Sequence, residues 1–399
     1  MQSPTKRNKS NIILTFEQYF VNIKFAFNDD FIYNVCMKIL HKNLLNKIIS
    51  LLVVIAILLT CVSCVQGSAY DFYYFNTEIH VQTGDKKLSQ TTINKIDAVL
   101  DNAEKTFSTS SNIPNSLVNK FNNANSGQVL VNSDFITIYQ KSMELYSFSN
   151  GKFNPALKPL VALWGFGDNY PIENFIPPQQ EQIASILDSE HIDFASIHYI
   201  PSQNILVKPN DEMQLDFGGI VKGYIADKIA DILIQSGHKK GYVNIGGSSL
   251  TLLQIEELGV VHPRGDGQII TINTNKAKKI SVSTSGDYQR YYNHQGKRYS
   301  HIIDGSTGEP VVTAISSATI LGVDGIVADA LSTALCTCVI NNYEDMLTPF
   351  VKKILNKYPS AQIYIVANFE KDNLIITNKL LNKDFTILDS QYKVKYFEY

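Results

Sequence analysis

The chain has 399 residues, 44% of them hydrophobic and 18% charged, so apolar side chains suffice for a core and a wholly disordered chain is excluded. Lys and Arg number 35 against 37 Asp and Glu, and this near-neutral balance argues against a nucleic-acid-binding protein held by bulk positive charge. Five cysteines in so long a chain exclude a disulfide scaffold.

The N-terminal region contains an apolar segment typical of a membrane address. Residues 48–65, IISLLVVIAILLTCVSCV, carry no charge, and their length suits either a short membrane-spanning helix or the apolar region of a signal peptide. Lys38, Lys42 and Lys47 follow Met37 and give the positive n-region of a signal peptide. We therefore predict an extension over residues 1–36, untranslated if Met37 is the initiator, and a lipoprotein-type signal peptide over residues 37–63.

The end of this segment, LLTCVSC, resembles the lipobox of bacterial lipoproteins, in which a lipidated Cys becomes the mature N-terminus. Cys64 follows the smaller residue and Cys61 the better apolar stretch, so lipidation is predicted at Cys64, with Cys61 as the alternative. A plain membrane anchor helix is the other interpretation. Both predict a protein held at the bacterial inner membrane or cell surface, with residues 64–399 facing the periplasm or the outside.

Hydrophobic periodicity predicts the helices and strands of the remaining chain. Helices are expected at residues 92–107, 134–148, 219–236 and 326–339, with a short one that ends at residue 187. Strands are expected at residues 75–82, 204–208, 212–217, 242–245, 268–273, 280–284 and 362–366, with a hairpin formed by residues 290–292 and 298–302. Because strands and helices mix without regular βαβ alternation, we predict an α+β fold. Cys336 and Cys338 are expected to be buried thiols.

Three clusters carry more polar chemistry than packing requires. The first, DFGGIVKGY over residues 216–224, places Asp216 at a strand end, two glycines in a tight turn and Lys222 in the opening turn of a helix. Glycines let the backbone approach a ligand, and free N–H groups with a lysine favour an anion such as phosphate. An ordinary strand-turn-helix would show the same pattern, and the spacing matches neither a Walker A loop nor a dinucleotide fingerprint.

The other two clusters lie further along the chain. In SHIID, residues 300–304, His301 could bind phosphate oxygens or move a proton, although such a histidine is often structural. In ADALSTA, residues 328–334, Asp329 and Thr333 share one helix face with Ser332 beside them, an all-oxygen set that suits Mg²⁺. The alternative is an Asp that complements a helix dipole. The NIGG segment at residues 244–247 could line the same pocket. Since CxxCH, HExxH and GxSxG motifs do not occur, heme, zinc and Ser-His-Asp chemistry have no support.

In this order the motifs resemble those of the FAD:protein FMN transferase (ApbE) family. The resemblance covers residues 70–370 and rests on FNP at 153–155, PLVALWGFG at 159–167, DFGGIVKGY at 216–224, VNIGG at 243–247, SGDY at 285–288, RYSHIID at 298–304 and ADALSTAL at 328–335. It implies one bilobed α+β domain over residues 64–399, with the FAD site between the lobes.

The resemblance also implies an activity: a Mg²⁺-dependent enzyme that splits the FAD pyrophosphate, transfers FMN to a Thr or Ser hydroxyl of a target protein and releases AMP. The implied acceptor is a flavoprotein subunit of a membrane redox complex or a secreted flavoprotein, and no nucleic acid is involved. Asp329 and His301 would be catalytic, and the metal would be held by Gly219, Asp329, Ser332 and Thr333. The FAD contacts would come from Phe75, Lys152, Phe153, Asn154, Asp216, Lys222, His301, Ile302 and Ile303.

Several residues depart from the family's pattern. Asn154 stands where the family usually has Asp, Ser110 lies near the place of a Tyr that stacks on flavin, and Ser248 stands where many members have Glu. The segment SLVN at residues 116–119 replaces Ser-Glu-x-Ser. The metal and pyrophosphate motifs are therefore intact, whereas the flavin-ring side is altered.

Two other functions compete with the transferase. A Mg²⁺-dependent FAD pyrophosphatase would use the same site with water as nucleophile, and the sequence does not separate the two because the acceptor hydroxyl belongs to another protein. A flavin-binding lipoprotein without turnover is the second alternative. The presence of Asp329 and Thr333 argues against it.

Overall fold

A nine-stranded β-sheet organises the fold in the computed structural model, which describes residues 67–168, 170–187, 190–340 and 347–397. The described strands are β1 Ala69–Tyr74, β2 Thr77–Thr83, β3 Gly127–Leu130, β4 His198–Ile200, β5 Ile205–Lys208, β6 Gly241–Ile245, β7 Ser249–Leu253, β8 Glu257–Val261, β9 Gln268–Asn273, β10 Ile280–Gly286, β11 Tyr291–His294, β12 Lys297–Ser300, β13 Ile315–Val323, β14 Gln362–Asn368, β15 Asn373–Thr377, β16 Phe385–Ile387 and β17 Tyr392–Tyr396. The large sheet has the order β1-β2-β6-β7-β10-β13-β14-β15-β17. Neighbouring strands are antiparallel except for β15 and β17, which pair in parallel.

Helices cover one face of this sheet and a small sheet covers the other. The described helices are α1 Gln90–Phe107, α2 Leu117–Asn123, α3 Ser133–Phe148, α4 Lys158–Leu163, α5 Gln180–Leu187, α6 Val221–Gln235, α7 Gly325–Cys336 and α8 Leu347–Lys357. Helices α6 and α7 pack on the central strands β7, β10 and β13, and their apolar residues form the main core with α1 and α3. A second core lies between the large sheet and the sheet β16-β9-β8.

A third core joins α4, α5 and the hairpin β11–β12. It is rich in aromatic rings, and Phe175 stacks on Tyr292 with 4.1 Å between the ring centroids. Trp164 packs beside Tyr299 and donates from its ring nitrogen to the Gly308 carbonyl at 2.7 Å. This core is separate from the main one, although both belong to one compact unit that spans residues 66–399.

The mixed architecture confirms the predicted α+β class, and most predicted elements lie within two residues of the observed ones. Helix α1 begins after Ser89, whose hydroxyl accepts a hydrogen bond from the Thr92 amide at 3.1 Å and satisfies a free N–H of the first turn. The β9 strand and the β11–β12 hairpin agree with the prediction. Cys336 and Cys338 are buried free thiols, as expected.

Two predicted strands need correction. The strand predicted at residues 75–82 begins only at Thr77, because Phe75 and Asn76, both with φ of 55°, form the turn that joins β1 to β2. The strand predicted at residues 212–217 is wrong. Its alternate residues are buried, but the Leu215 backbone exchanges hydrogen bonds with the side chain of Asn122, and the segment belongs to none of the described sheets.

The predicted extension, signal peptide and lipidated cysteine, Cys64 or Cys61, lie outside the described residues. Within the described part of the chain, every helix is too short or too polar to cross a membrane.

Candidate active site

A cavity of about 860 Å³ opens between the main core and the aromatic core. It gathers the residues that the resemblance assigned to FAD, although they are widely separated along the chain. These residues all line the cavity: Phe75, Lys152, Phe153, Asn154, Asp216, Lys222, His301, Ile302 and Ile303. Gly219, Asp329 and Thr333 of the predicted metal site line it as well.

One side of the cavity, here called the helix wall, consists of Gly218, Gly219, Val221, Lys222, Ser285, Asp329 and Thr333. It depends on the close crossing of α6 and α7 at Gly223 and Gly325. A Cβ atom on Gly223 would lie 2.0 Å from the Gly325 carbonyl oxygen, so only glycine permits this approach. The crossing carries the amide of Gly223 to 3.1 Å from Asp329 Oδ2.

Asp329 is the buried charge of the helix wall, with 3% of its surface exposed. Besides the Gly223 amide, the Ser249 hydroxyl donates to Asp329 Oδ1 at 3.2 Å. The Lys222 ammonium lies 3.8 Å from Oδ2 and also donates to the Gly218 carbonyl. A buried carboxylate requires such partners, because an unpaired charge in a protein interior is costly.

Thr333 lies one turn after Asp329 and closes an oxygen-rich corner. A Cβ atom on Gly219 would lie 3.2 Å from Thr333 Oγ1, so the backbone at Gly219 runs close to this hydroxyl. Ser285 Oγ lies 3.1 Å from Thr333 Oγ1 and 2.9 Å from Ser332 Oγ. Ser332 itself is fully buried, donates to the Asp329 carbonyl at 2.9 Å and does not line the cavity. Ser285 therefore lies in the cavity at the predicted metal site, where the sequence analysis had placed Ser332.

His301 lies on the side of the cavity next to the hairpin. Its ring Nδ1 is 3.1 Å from the Arg290 carbonyl oxygen, and its backbone amide donates to the same oxygen. Withdrawal from water and the positive charges of Arg290 and Lys222 lower the pKa of His301 to about 3. The ring is therefore neutral near pH 7, with its proton on Nδ1 as the donor to Arg290 and with Nε2 as a hydrogen-bond acceptor.

The opposite side, here called the loop wall, consists of residues 75–77, 108–110 and 152–154 with Asp168 and Tyr170. It is built from turns. The Phe75 amide donates to Glu104 Oε1 at 2.7 Å, and the Ser111 amide donates to Asp168 Oδ2 at 2.8 Å. Asn154 uses both ends of its side chain: Oδ1 accepts from the Ala156 amide at 2.9 Å, and Nδ2 donates to the Ile192 carbonyl at 3.0 Å.

Some cavity residues were not singled out as site residues in the sequence. Arg290 and Lys158 add positive charge to the lining, and Asp168 anchors the loop wall. Ser285 belongs to the SGDY motif, which was the only signal that pointed to it. Arg290 is a single cation ahead of a hairpin, and no local pattern distinguishes it from an ordinary surface arginine.

Comparison with known proteins shows which family the chain is similar to. The model of a family described as the ApbE family matches residues 75–352. The FAD:protein FMN transferase of Buchnera aphidicola is 28% identical over 332 residues, which cover 78% of this chain and 86% of that protein. The FAD:protein FMN transferase of Vibrio cholerae is 29% identical over 284 residues, which cover 67% and 78%.

Solved structures agree with these relatives. The ApbE protein of Thermotoga maritima aligns with a TM-score of 0.65 at 28% identity, over 76% of this chain and 94% of that one. The flavin transferase ApbE from Vibrio cholerae aligns with a TM-score of 0.65 at 23% identity, again over 76% and 94%, which shows the shared fold.

Proposed function

The chain belongs to the ApbE family, and we propose that it is an FAD:protein FMN transferase which moves FMN from FAD to a Thr or Ser hydroxyl of another protein. The observation that carries this proposal is one cavity lined by residues from four separate segments of the chain: Lys152, Phe153, Asn154, Asp216, Gly218, Gly219, Val221, Lys222, His301, Ile302, Ile303, Asp329 and Thr333. These segments come from separate elements and share no core position that requires charged or hydroxyl side chains together.

The reaction replaces the phosphoanhydride bond of FAD with a phosphate ester bond to the acceptor. The acceptor oxygen forms a bond to the phosphorus of the FMN half, the pyrophosphate P–O bond breaks, and AMP leaves with the bridging oxygen. The acceptor hydroxyl must lose its proton. His301 is neutral, so its Nε2 can accept a hydrogen bond from this hydroxyl and orient it, whereas Asp329 is the carboxylate of the cavity that can take the proton. No covalent enzyme intermediate is needed, since the acceptor supplies the nucleophile.

The cations of the lining bind and orient the substrate's phosphates. Lys222 lies at the first turn of α6, where backbone N–H groups also point outward, and this arrangement favours an anionic group. Arg290 adds a second cation on the His301 side. Because the net charge of the chain is only −2, local groups rather than bulk charge attract the pyrophosphate.

The oxygen-rich corner of the helix wall fits a hard divalent cation. Its ligands would be the Asp329 carboxylate, the Thr333 hydroxyl and the Gly219 carbonyl, all of them oxygen groups of the type that Mg²⁺ prefers. When bound, Mg²⁺ would neutralise charge on the pyrophosphate oxygens. Lys222, 3.8 Å from Asp329, balances part of the charge of this carboxylate.

We extend the proposal to location. The apolar segment at residues 48–65 and the cysteines at its end support a lipid-anchored protein that faces the periplasm or the outside. An acceptor would then be a flavoprotein subunit of a membrane redox complex or a secreted flavoprotein. Labelling of the expressed protein with a radioactive fatty acid tests the anchor, and a Cys64→Ser variant that still takes up the label at Cys61 would reassign the site.

One experiment separates the transferase from its alternatives. The full-length protein is incubated with FAD and MgCl₂, with and without an acceptor protein that carries a Ser/Thr-Gly-Ala-Thr motif. We expect AMP release that depends on the acceptor, together with in-gel flavin fluorescence of the acceptor band. AMP release without a fluorescent acceptor would instead show a pyrophosphatase. FAD binding without AMP release would show a flavin carrier.

A further inference from the structure

The Asp329 carboxylate is fixed by groups that lie outside the cavity lining. Its Oδ2 accepts from the Gly223 amide and its Oδ1 accepts from the Ser249 hydroxyl. Ser249 is fully buried at the start of β7 and does not line the cavity. Ser249 therefore touches the carboxylate but has no direct access to a substrate.

Ser249 is itself oriented by the next strand. Ser283 of β10 is its partner in the antiparallel register, and the Ser283 hydroxyl donates to Ser249 Oγ at 3.2 Å. With Ser283 donating to its oxygen, the Ser249 hydroxyl has its own proton directed to Asp329. The two serines form a buried chain of hydroxyls that runs from the centre of the sheet to the carboxylate, and each bond in such a chain polarises the next.

We propose that Ser249 is a positioning residue which holds the Asp329 carboxylate in the orientation that binds a divalent cation, with Ser283 as its support. A carboxylate has about four lone-pair directions, and two of them are taken by Ser249 and Gly223. The remaining directions are left for Lys222 and the cavity. Groups that hydrogen-bond a metal ligand orient it, and their loss typically weakens metal binding about 10–100-fold.

This inference rests on the proposed function only through the cation, and its test is designed to be read separately. The probe is Mn²⁺, which accepts the same oxygen ligands as Mg²⁺ and whose binding to the full-length protein is followed by electron paramagnetic resonance. The variants are Ser249→Ala, Ser283→Ala and Ser317→Ala. Ser317 is the matched control, because it is a fully buried serine of the same sheet whose hydroxyl has no hydrogen-bond partner among the described residues.

We expect the dissociation constant for Mn²⁺ to rise about tenfold in Ser249→Ala, about threefold in Ser283→Ala and less than about twofold in Ser317→Ala. Ser249→Cys keeps the shape of the side chain with a weaker donor and should lie between wild type and Ser249→Ala. If Ser249→Ala does not fold, as shown by the lack of a cooperative thermal transition, the Mn²⁺ affinity of Ser249→Cys tests the inference instead.

The outcomes are distinct. Equal affinity in Ser249→Ala and wild type, equal losses in Ser249→Ala and Ser317→Ala, or no Mn²⁺ binding to the wild type would each overturn the inference. If the expected order of affinities is found but the wild type releases no AMP from FAD, the positioning role stands and the transferase proposal fails.

Discussion

The helix wall and the loop wall face each other across one cavity, yet they differ in how they are held. On the helix wall, Asp329 is 3% exposed and accepts from two buried donors on different elements. On the loop wall, Phe75 lies in a turn with a left-handed backbone. The Asn154 side chain fixes its loop through two hydrogen bonds to backbone groups, those of Ala156 and Ile192. The contrast indicates that packed helices and strands hold the charged and hydroxyl groups of the helix wall at fixed distances from each other. Turns set the shape of the cavity on the side of the loop wall.

The same contrast accounts for three of the four departures from the family pattern described above; the fourth, Ser248, lines the cavity from the turn between β6 and β7. Asn154, Ser110 and the segment at residues 116–119 all belong to or support the loop wall, where a local hydrogen bond can be exchanged for another. Changes on the helix wall would disturb a glycine crossing and a buried charge together. We therefore expect helix-wall variants to lose turnover and loop-wall variants to change FAD affinity or local stability.

The largest effect is expected for Asp329→Asn. The substitution keeps the size of the side chain but removes the negative charge that the helix wall is built around, so AMP release from FAD should fall by about 10³-fold or more. The control is Asp231→Asn on helix α6, which packs on α7, since Asp231 is half exposed and pairs with Lys279 at the surface. If the turnover of Asp329→Asn is within about tenfold of wild type, the expectation that helix-wall variants lose turnover is wrong.

His301→Gln should reduce turnover by about 100-fold, because glutamine keeps a polar side chain but does not place a ring nitrogen where it can orient the hydroxyl of the acceptor protein. The pKa of His301 is about 3, so its charge does not change near neutral pH. Between about pH 5 and pH 8 the pH profile of the wild type should therefore lack a histidine transition. A transition near the usual histidine pKa of about 6.5 that disappears in His301→Gln would contradict the neutral assignment.

The same pKa predicts how stability depends on pH. In the unfolded chain a histidine has its usual pKa near about 6.5, so from there down to about pH 3 the unfolded state binds a proton that folded His301 does not. The free energy of unfolding should fall as the pH drops through this window. Urea titrations at about pH 7 and about pH 5 should show a smaller loss in His301→Gln than in wild type.

On the loop wall, Phe75→Ala should raise the KM for FAD by about fivefold and leave kcat within about twofold. An aromatic ring beside a planar ligand contributes roughly 1–3 kcal/mol, and the turn can relax to recover part of it. Tyr70→Ala is the control, because Tyr70 is an exposed aromatic residue of the same hairpin that does not line the cavity. A fall in kcat with unchanged KM would place Phe75 with the reacting groups instead.

The smallest effect on turnover is expected for Asn154→Asp, which introduces the residue usual in the family. The Nδ2 donor to the Ile192 carbonyl is lost and a carboxylate oxygen faces that carbonyl, so the free energy of unfolding should fall by about 1–2 kcal/mol. Asn94→Asp on α1 is the matched control, since Asn94 acts there as an acceptor, which aspartate can replace. A stability gain in Asn154→Asp would show that the loop wall is not held by this bond.

Local sequence patterns predicted the elements that carry their own signals. Helices α1 and α6 combine amphipathic spacing with a capping serine or a terminal glycine, and both were found within two residues of the prediction. Residues 212–217 failed because alternating burial also arises in an extended segment whose backbone is satisfied by one side chain, Asn122. Period-two alternation reports which side chains are buried but not what the backbone pairs with.

Site residues that lie in one sequence motif could be predicted, whereas residues that are brought together only by the pairing of two strands could not. Asp329 and Thr333 are one helical turn apart and reached the cavity together. Ser332 lies in the same motif but contacts Ser285 and the helix backbone, because a helix turns its neighbours to different sides. Ser249 and Ser283 lie 34 positions apart, and only the pairing of β7 with β10 brings them into contact.

The order of strands in the large sheet also affects how the protein is made. Strands β10 and β13 lie near the centre of the sheet, yet a ribosome adds them after helices α1, α3 and α6, whose apolar faces pack in the main core with this part of the sheet. During synthesis the apolar faces of these helices stay exposed until the strands that begin at Ile280 and Ile315 have left the ribosome. A chain interrupted in this interval would be prone to aggregate and would depend on chaperones, whatever the final stability of the complete fold.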